Sequence, residues 1–284
     1  MNIISLVRNL INIFDIFQQR KIIKFIKTKF IDKKEIEIFD VGAHFGETIK
    51  LFNKNFKIKK IHCFEASPIN FDILKKNIKK DNLTDICRLN NFGVGHKNYN
   101  SFINQTEESS SSTINDFNFK SKYFQKKLKI LNVKNVDNFY KKIPIKITSL
   151  DNYIEEKEIK KIDILKIDTE GFEFNVIKGL NNQCKIIKLI YFEHHFDDMI
   201  KKNYKFNDIN QLLINFGFKN LLLTLCIFII LIALSTSLDL VSGKNSAYFH
   251  TYPLLDIDYR LGFHRDTAFH VSIINSIINF GYPS

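Results

Sequence analysis

Two acids close an apolar run in Ile164–Gly179, which reads ILKIDTEGFEFNVIKG. Asp168 ends the run, Glu170 follows two residues on, and Gly171 opens an amphipathic segment. The pattern predicts a buried parallel strand whose carboxyl end presents both carboxylates at a strand-to-helix turn, and ligands of open α/β sheets bind at such ends. A carboxylate so placed can take the proton of a reacting hydroxyl. Asp168 is the first candidate for that work. Glu170 is either a second base or a brace that bonds the backbone amides of the turn, and Glu173 is expected to face solvent on the following helix. Glu193, His194 and His195 follow the next apolar run and reach the same edge. His194 is a third catalytic candidate, against the plainer role of a histidine capping the strand.

A second acid-and-glycine turn lies at Asp40–Thr48 (DVGAHFGET). A strand ending in an acid, then Gly-x-x-x-Gly, then a helix, describes a nucleoside-binding turn. Gly42 is expected to let a ligand approach the backbone, and Gly46 to let the helix pack near the sheet. A carboxylate at the turn, with no G-x-G-x-x-G spacing, disfavours a pyrophosphate and suits a ligand with a sulfonium or ammonium centre. It also counts against a nicotinamide-dependent dehydrogenase. Glu65 ends the next apolar run, placed to accept hydrogen bonds from ribose hydroxyls.

The elements that must position these residues alternate. Strands are predicted at Ile36–Val41, Lys60–Phe64, Ile86–Leu89, Phe92–Val94, Ile145–Thr148, Ile162–Ile167 and Ile186–Phe192. Helices are predicted at Gly46–Asn53, Pro68–Lys80, Leu150–Glu156, Phe172–Gly179 and Asn207–Asn215. Such alternation implies a parallel sheet with helices on both faces. Residues 97–123 are polar and read as a loop, with Ser109–Ser112 either a lid over the ligand or a flexible stretch. Residues 1–30 are amphipathic at helical spacing, either packed on the domain or lying on a membrane surface.

With these blocks in view, Asp40–Thr48, Phe64–Pro68 (FEASP), Ser149–Tyr153 (SLDNY) and Leu165–Gly179 together resemble the FkbM family of S-adenosylmethionine-dependent methyltransferases. The resemblance covers about residues 35–219. It implies an α/β class I methyltransferase fold, Rossmann-like, with a mostly parallel sheet. It also implies S-adenosyl-L-methionine as cofactor, and O-methylation of a hydroxyl on a sugar or related small-molecule or glycan acceptor. By position it assigns Asp40, Gly42, Ala43, Gly46 and Thr48 to the cofactor turn and Glu65 with Ala66 to the ribose. It sets Asp168 near the transferred methyl. His44 and Phe45 depart from the small or amide residues common in that turn.

Composition narrows the remaining choices. The chain has 284 residues and a formal net charge of +12, yet its lysines are spread throughout rather than gathered into a stripe. No nucleic-acid partner is therefore expected. Cys63, Cys87, Cys184 and Cys226 lack metal-ligand spacing, and no metal site is expected. Leu221–Leu238 is an uncharged run of 18 residues, read as a transmembrane helix at the short end of the spanning range. The flanking lysines then place the catalytic domain in the cytoplasm of a single-pass membrane protein. The expected organisation is an amphipathic segment (1–34), a methyltransferase domain (35–219), a membrane helix (220–240) and an exported or truncated tail (241–284). In that tail Phe269, Ile273, Ile277 and Phe280 read as a helical stripe. The competing reading is a non-catalytic fused or frameshifted fragment, an incomplete methyltransferase joined to the start of a membrane protein, with the apolar run in place of the family's closing strand.

Overall fold

The computed structural model describes residues 19–30, 35–107, 109–130, 139–194, 197–223 and 274–279. A seven-stranded sheet forms the centre. Its strands are β1 (Ile36–Val41), β2 (Ile58–Phe64), β3 (Cys87–Asn90), β7 (Ile162–Ile167), β8 (Ile187–Phe192), β9 (Phe218–Leu223) and β10 (Ile274–Asn279), in the order β3-β2-β1-β7-β8-β10-β9. The first five run parallel, and β10 is antiparallel to both neighbours. The chain lays down β1, β2 and β3 outward in one direction, then returns to place β7 on the other side of β1. The carboxyl ends of β1 and β7 thus flank the topological switch point, where a crevice must open.

Helices cover both faces. Along β1, Ile38 packs on one side of the sheet and Phe39 and Val41 on the other, the period-2 pattern of a strand buried on both faces. The Ile38 side carries α1 (residues 19–29), α2 (Glu47–Asn55) and α3 (Pro68–Lys80), through Ile22, Ile26, Phe52, Leu74 and Ile78. The Phe39 side carries α5 (Leu150–Glu156), α6 (Glu173–Lys178) and α7 (Phe206–Asn215), through Tyr153, Val176, Ile177, Ile209 and Leu213. Local sequence sets the starts of α3 and α5. Ser67 accepts from the Asn70 amide with Pro68 in the first turn, and Ser149 accepts from the Asn152 amide.

A smaller sheet flanks the crevice, with β4 (Gly93–Gly95), β6 (Tyr140–Ser149) and β5 (Tyr99–Thr106) in the order β4-β6-β5. The sequence reading missed β5 and all but the end of β6. Within the stretch expected to be loop, β5 buries Asn104, Gln105 and Thr106, polar residues that a hydropathy reading assigns to solvent. Asn104 reaches the Asn115 carbonyl, and both its backbone groups pair with Thr113. α4 (Lys122–Ile130) completes this region, with Phe124 packed on Phe117 and Phe139.

The C-terminal expectations need correction. Leu221–Leu223, the first residues of the expected membrane helix, belong to β9, and residues 224–238 lie outside the described residues. Among the described residues no helix is long and apolar enough to cross a membrane. Ile274–Asn279, assigned to the tail as part of a helical stripe, is instead a strand. It pairs with β8 at Ile277–Ile190 and with β9 along its whole length. Its isoleucines are β-branched and favour that outcome. The missing closing strand on which the fragment reading rested is therefore present, and it fills the gap between β8 and β9.

Candidate functional site

Three strand ends are knitted together by backbone. The amides of Gly42 and Ala43 both donate to the Phe64 carbonyl, at 2.9 and 3.0 Å, and the Asp168 amide donates to the Val41 carbonyl at 2.9 Å. Gly42 sits at φ +79°, and a Cβ built on it would lie 1.7 Å from the Asp168 carbonyl oxygen. Glycine is thus demanded by the close approach of the β1 and β7 turns. Gly46, at φ +94°, lets α2 meet α3: its Cβ would come within 3.1 Å of Leu74.

A charged cluster lies in this floor. Asp40, on β1, stands in register with Lys166, on β7, and Asp168 follows Lys166 at the two-residue spacing that returns to the same face. The Lys166 ammonium lies 3.1 Å from Asp40 Oδ1 and 3.3 Å from Asp168 Oδ2, and donates to the Gly42 carbonyl at 2.9 Å. Asp40 is fully buried, and neither of its oxygens accepts a hydrogen bond of good geometry; the ion pair with Lys166 is what holds it. Burial raises the Asp40 pKa, against the lowering pull of Lys166. Burial works to lower the pKa of Lys166, but Asp168 and Asp40 more than offset it and hold the ammonium above its ordinary value.

Glu65 forms the opposite wall. Its two oxygens accept from the amides of Ser67 and His44, each at 2.9 Å, and it is almost fully buried. Burial pushes its pKa up to about 7, the two amide bonds restraining the rise. Burial also raises Glu170 well above the carboxylate range, with the Asp168 charge adding to the effect. His44 departs from the family pattern to structural effect. At φ +44°, it stacks on Phe45, meets Glu47 at 3.2 Å and meets Ser109 Oγ at 2.8 Å, joining the β1 turn to the serine loop.

One cleft of about 330 Å³ gathers most of the expected residues: Gly42, Ala43, Thr48, Glu65, Ala66, Asp168 and Glu170 line it. Lys166, Glu193, Tyr191 and the serines 109, 110 and 112 join them, and Phe64, Phe92, Val94, Ile103 and Ile114 supply an apolar side. Gln19 and Ile22 of α1 complete the wall. Asp40 and Gly46 are buried and do not line the cleft. His194 is a correction: it packs against Tyr204 and Phe206 and lines a separate groove beside α7, away from Asp168. His195 lies outside the described residues. Among the described residues no group of acids, histidines and cysteines is arranged to hold a metal ion.

Two residues that sequence reasoning misread are central. Lys166 was legible as a lysine inside a buried strand, two residues before an acid. Glu173, expected in solvent, is completely buried, and its Oε1 accepts from the Thr169 amide and hydroxyl and from the Gly171 amide. The brace that was considered for Glu170 is supplied by Glu173.

Comparison with known proteins places the chain in a family by its sequence. The sequence profile described as Methyltransferase FkbM domain matches residues 40–219. No curated protein matches the chain. Among solved structures, the methyltransferase FkbM from Methylobacillus flagellatus KT is 15% identical, with a TM-score of 0.35 over 56% of this chain and 33% of that one. TrmK from M. capricolum, in complex with S-adenosyl-homocysteine, is 14% identical, with a TM-score of 0.38 over 74% of this chain and 62% of that one. The METTL16 methyltransferase domain is 10% identical, with a TM-score of 0.40 over 69% of this chain and 57% of that one. The chain thus spans about a third of the length of the first of these structures and just over half of the METTL16 domain. The profile match covers well over half of the sequence, and the chain belongs to the FkbM methyltransferase family, whose methyl donor is S-adenosylmethionine.

Proposed function

We propose that the chain transfers a methyl group from S-adenosylmethionine to a hydroxyl oxygen of a sugar or related metabolite. The observation that carries the reading is the convergence of Glu65, the Gly42–Ala43 turn and Asp168 on one cleft at the β1/β7 switch point. The cleft suits that donor chemically. Glu65 has spent one lone pair per oxygen on backbone amides, which leaves acceptor capacity for two ribose hydroxyls. Phe64, Phe92 and Ile114 offer an apolar slot for a flat base. Glu47 and Asp168 line the cleft, and the Lys166 ammonium is already matched by Asp40 and Asp168, so a positively charged centre entering the cleft meets carboxylates rather than an unpaired cation.

The donor, when bound, supplies an electrophilic methyl group on a sulfonium. The protein's part is alignment and proton removal. Val41 and Lys166 fix Asp168, through its amide and its carboxylate, at the rim of the cleft. There its carboxylate accepts the proton that an acceptor hydroxyl gives up as the new oxygen–carbon bond forms. Holding the acceptor in line behind the methyl group is worth several kcal/mol of the barrier, about 7 or more in well-aligned cases. Asp40 acts at one remove, by fixing Lys166.

The test is transfer of labelled methyl groups into the glycans and small metabolites of a cell expressing the chain. Asp168→Asn should lower incorporation by about 100-fold, the scale of a lost general base, while leaving S-adenosylhomocysteine binding by calorimetry within a few-fold. Full incorporation by the variant would remove Asp168 from the chemistry.

A further inference from the structure

Glu173 opens α6 and is completely buried, yet each of its hydrogen-bonding partners is a donor. Oε1 accepts from the Thr169 amide at 3.2 Å, the Thr169 hydroxyl at 3.1 Å and the Gly171 amide at 2.9 Å. Oε2 accepts from the Tyr204 hydroxyl at 2.6 Å. The turn so gripped carries Asp168 and Glu170 into the cleft. It also needs gripping, because Glu170 at φ +51° and Gly171 at φ +89° are successive left-handed residues, and a left-handed glutamate is costly without support. The carbonyls of the same turn are held from the other side. The Thr113 hydroxyl donates to Glu170 O and the Asn115 side-chain amide to Gly171 O, both at 2.6 Å. Thr113 and Asn115 directly follow the serine loop that roofs the cleft.

We propose that Glu173 is the positioning residue of this site: its carboxylate sets the Thr169–Gly171 turn so that Asp168 stands at the Lys166 ammonium and faces the cleft, and Tyr204 locks that carboxylate in place. The proposal rests on the reading of Asp168 as the base, but its geometry does not. Val176 and Ile177 of the same helix supply its apolar packing, and all three contacts of Glu173 Oε1 go to the turn. The acid is spent on the turn.

The two substitutions that matter differ in hydrogen bonding at similar volume. In Glu173→Gln, the side-chain oxygen keeps the three turn donors and the amide donates to Tyr204, whose hydroxyl turns to accept. In Glu173→Leu, all three donors of the turn lose their partner. In the full-length chain, the carboxyl carbon of Asp168, read by 13C NMR with labelled aspartate, should shift toward the position of a solvent-exposed aspartate in Glu173→Leu. It should stay at the wild-type position in Glu173→Gln. Amide exchange at Gly171 should lose protection in the first variant and keep it in the second. If Glu173→Leu fails to fold, Tyr204→Phe decides, with a smaller Asp168 shift in the same direction expected. An unmoved Asp168 signal in Glu173→Leu, or in Tyr204→Phe where that decides, overturns the proposal; so does an equal shift in Glu173→Gln and Glu173→Leu. These readouts need no acceptor. Failure of the base reading shows separately, as undiminished methyl transfer by Asp168→Asn with the Glu173 signatures intact.

Discussion

The wall formed by Glu65 makes donor binding depend on pH. A carboxyl with an ordinary value of 4.5 is held at about 7 because burial penalises its charged form. That difference is equivalent to about 3 kcal/mol. The sign follows from the raised value. The unliganded fold has this contribution in full below 4.5 and loses it as pH rises through 7. Ligand works in the opposite direction. Ribose hydroxyls donate to the carboxylate, so binding selects the ionised form and pulls the group back down. Affinity for S-adenosylhomocysteine should therefore strengthen about tenfold between pH 6 and pH 8, following the ionised fraction of a group that titrates near 7. Calorimetry at pH 7 in buffers of different ionisation enthalpy should show about half a proton released per ligand bound. Glu65→Gln should bind weakly at every pH, because its side-chain NH2 must face the amide of either His44 or Ser67, and it should abolish the slope. Equal affinity at pH 6 and pH 8, or the same slope in the variant, would refute the assignment of Glu65 to the ribose.

Three further outcomes follow from the floor of the cleft. Gly42→Ala must part the β1 and β7 turns, given the 1.7 Å approach to Asp168 O, and should cost about 3–5 kcal/mol in denaturant unfolding; a loss under about 1 kcal/mol would show that the turns are not locked. Lys166→Met leaves Asp40 and Asp168 buried or half-buried without their cation, and should cost about 3–5 kcal/mol, recovered in part as pH falls and the carboxyls take up protons, as a pH series of melting curves would show. His194→Ala should leave S-adenosylhomocysteine affinity within about twofold of wild type by calorimetry, because the imidazole lines the groove beside α7 and not the cleft; a tenfold loss would restore it to the site.

What could be read from the sequence was what depends on apolar period and on strand ends. β1, β2, β7 and β8 are short runs rich in isoleucine and phenylalanine, each ending at or beside an acid, and their carboxyl ends carry Asp40, Glu65 and Asp168 to one edge of the sheet. Three kinds of feature escaped. β5 hid because its buried half is Ile103 followed by the polar Asn104, Gln105 and Thr106, and the side-chain amides of Asn104 and Gln105 donate to carbonyls in a way no hydropathy scale sees. Glu173 hid for the same reason: an acid in the first turn of a helix looks solvated unless its four donors are known. β10 hid because it is separated from β9 by a long stretch of chain, and its partner in the sheet is set by topology, not by local pattern. Of the apolar run from Leu221, only Leu221–Leu223 lies among the described residues, where it ends β9, and a short apolar run by itself does not tell a strand from the start of a helix.

The cleft is built to two different standards, and the difference bears on how it works. Its floor is backbone against backbone: β1, β2 and β7 ends joined by amide–carbonyl bonds, a glycine with no room for a methyl group, and an ammonium enclosed by two carboxylates and a carbonyl. No part of it can move without breaking several contacts at once. Its roof is held mostly through serine side chains, with backbone bonds from Ser109 to Thr106 and from Ser112 to Ser109. Ser109 meets His44, Ser112 meets the Thr106 amide and hydroxyl, and Lys127 donates to Ser111. Bonds of that kind each contribute about 0.5–1.5 kcal/mol net and are replaced by water when they open. The serine loop can therefore lift at a cost of a few kcal/mol while the floor stays fixed, and its downstream end remains tethered through Thr113 to the turn that carries Asp168. Were the serine loop to lift for ligand exchange, it would break these part-buried side-chain bonds and leave the contacts that set Asp168 against the cleft untouched.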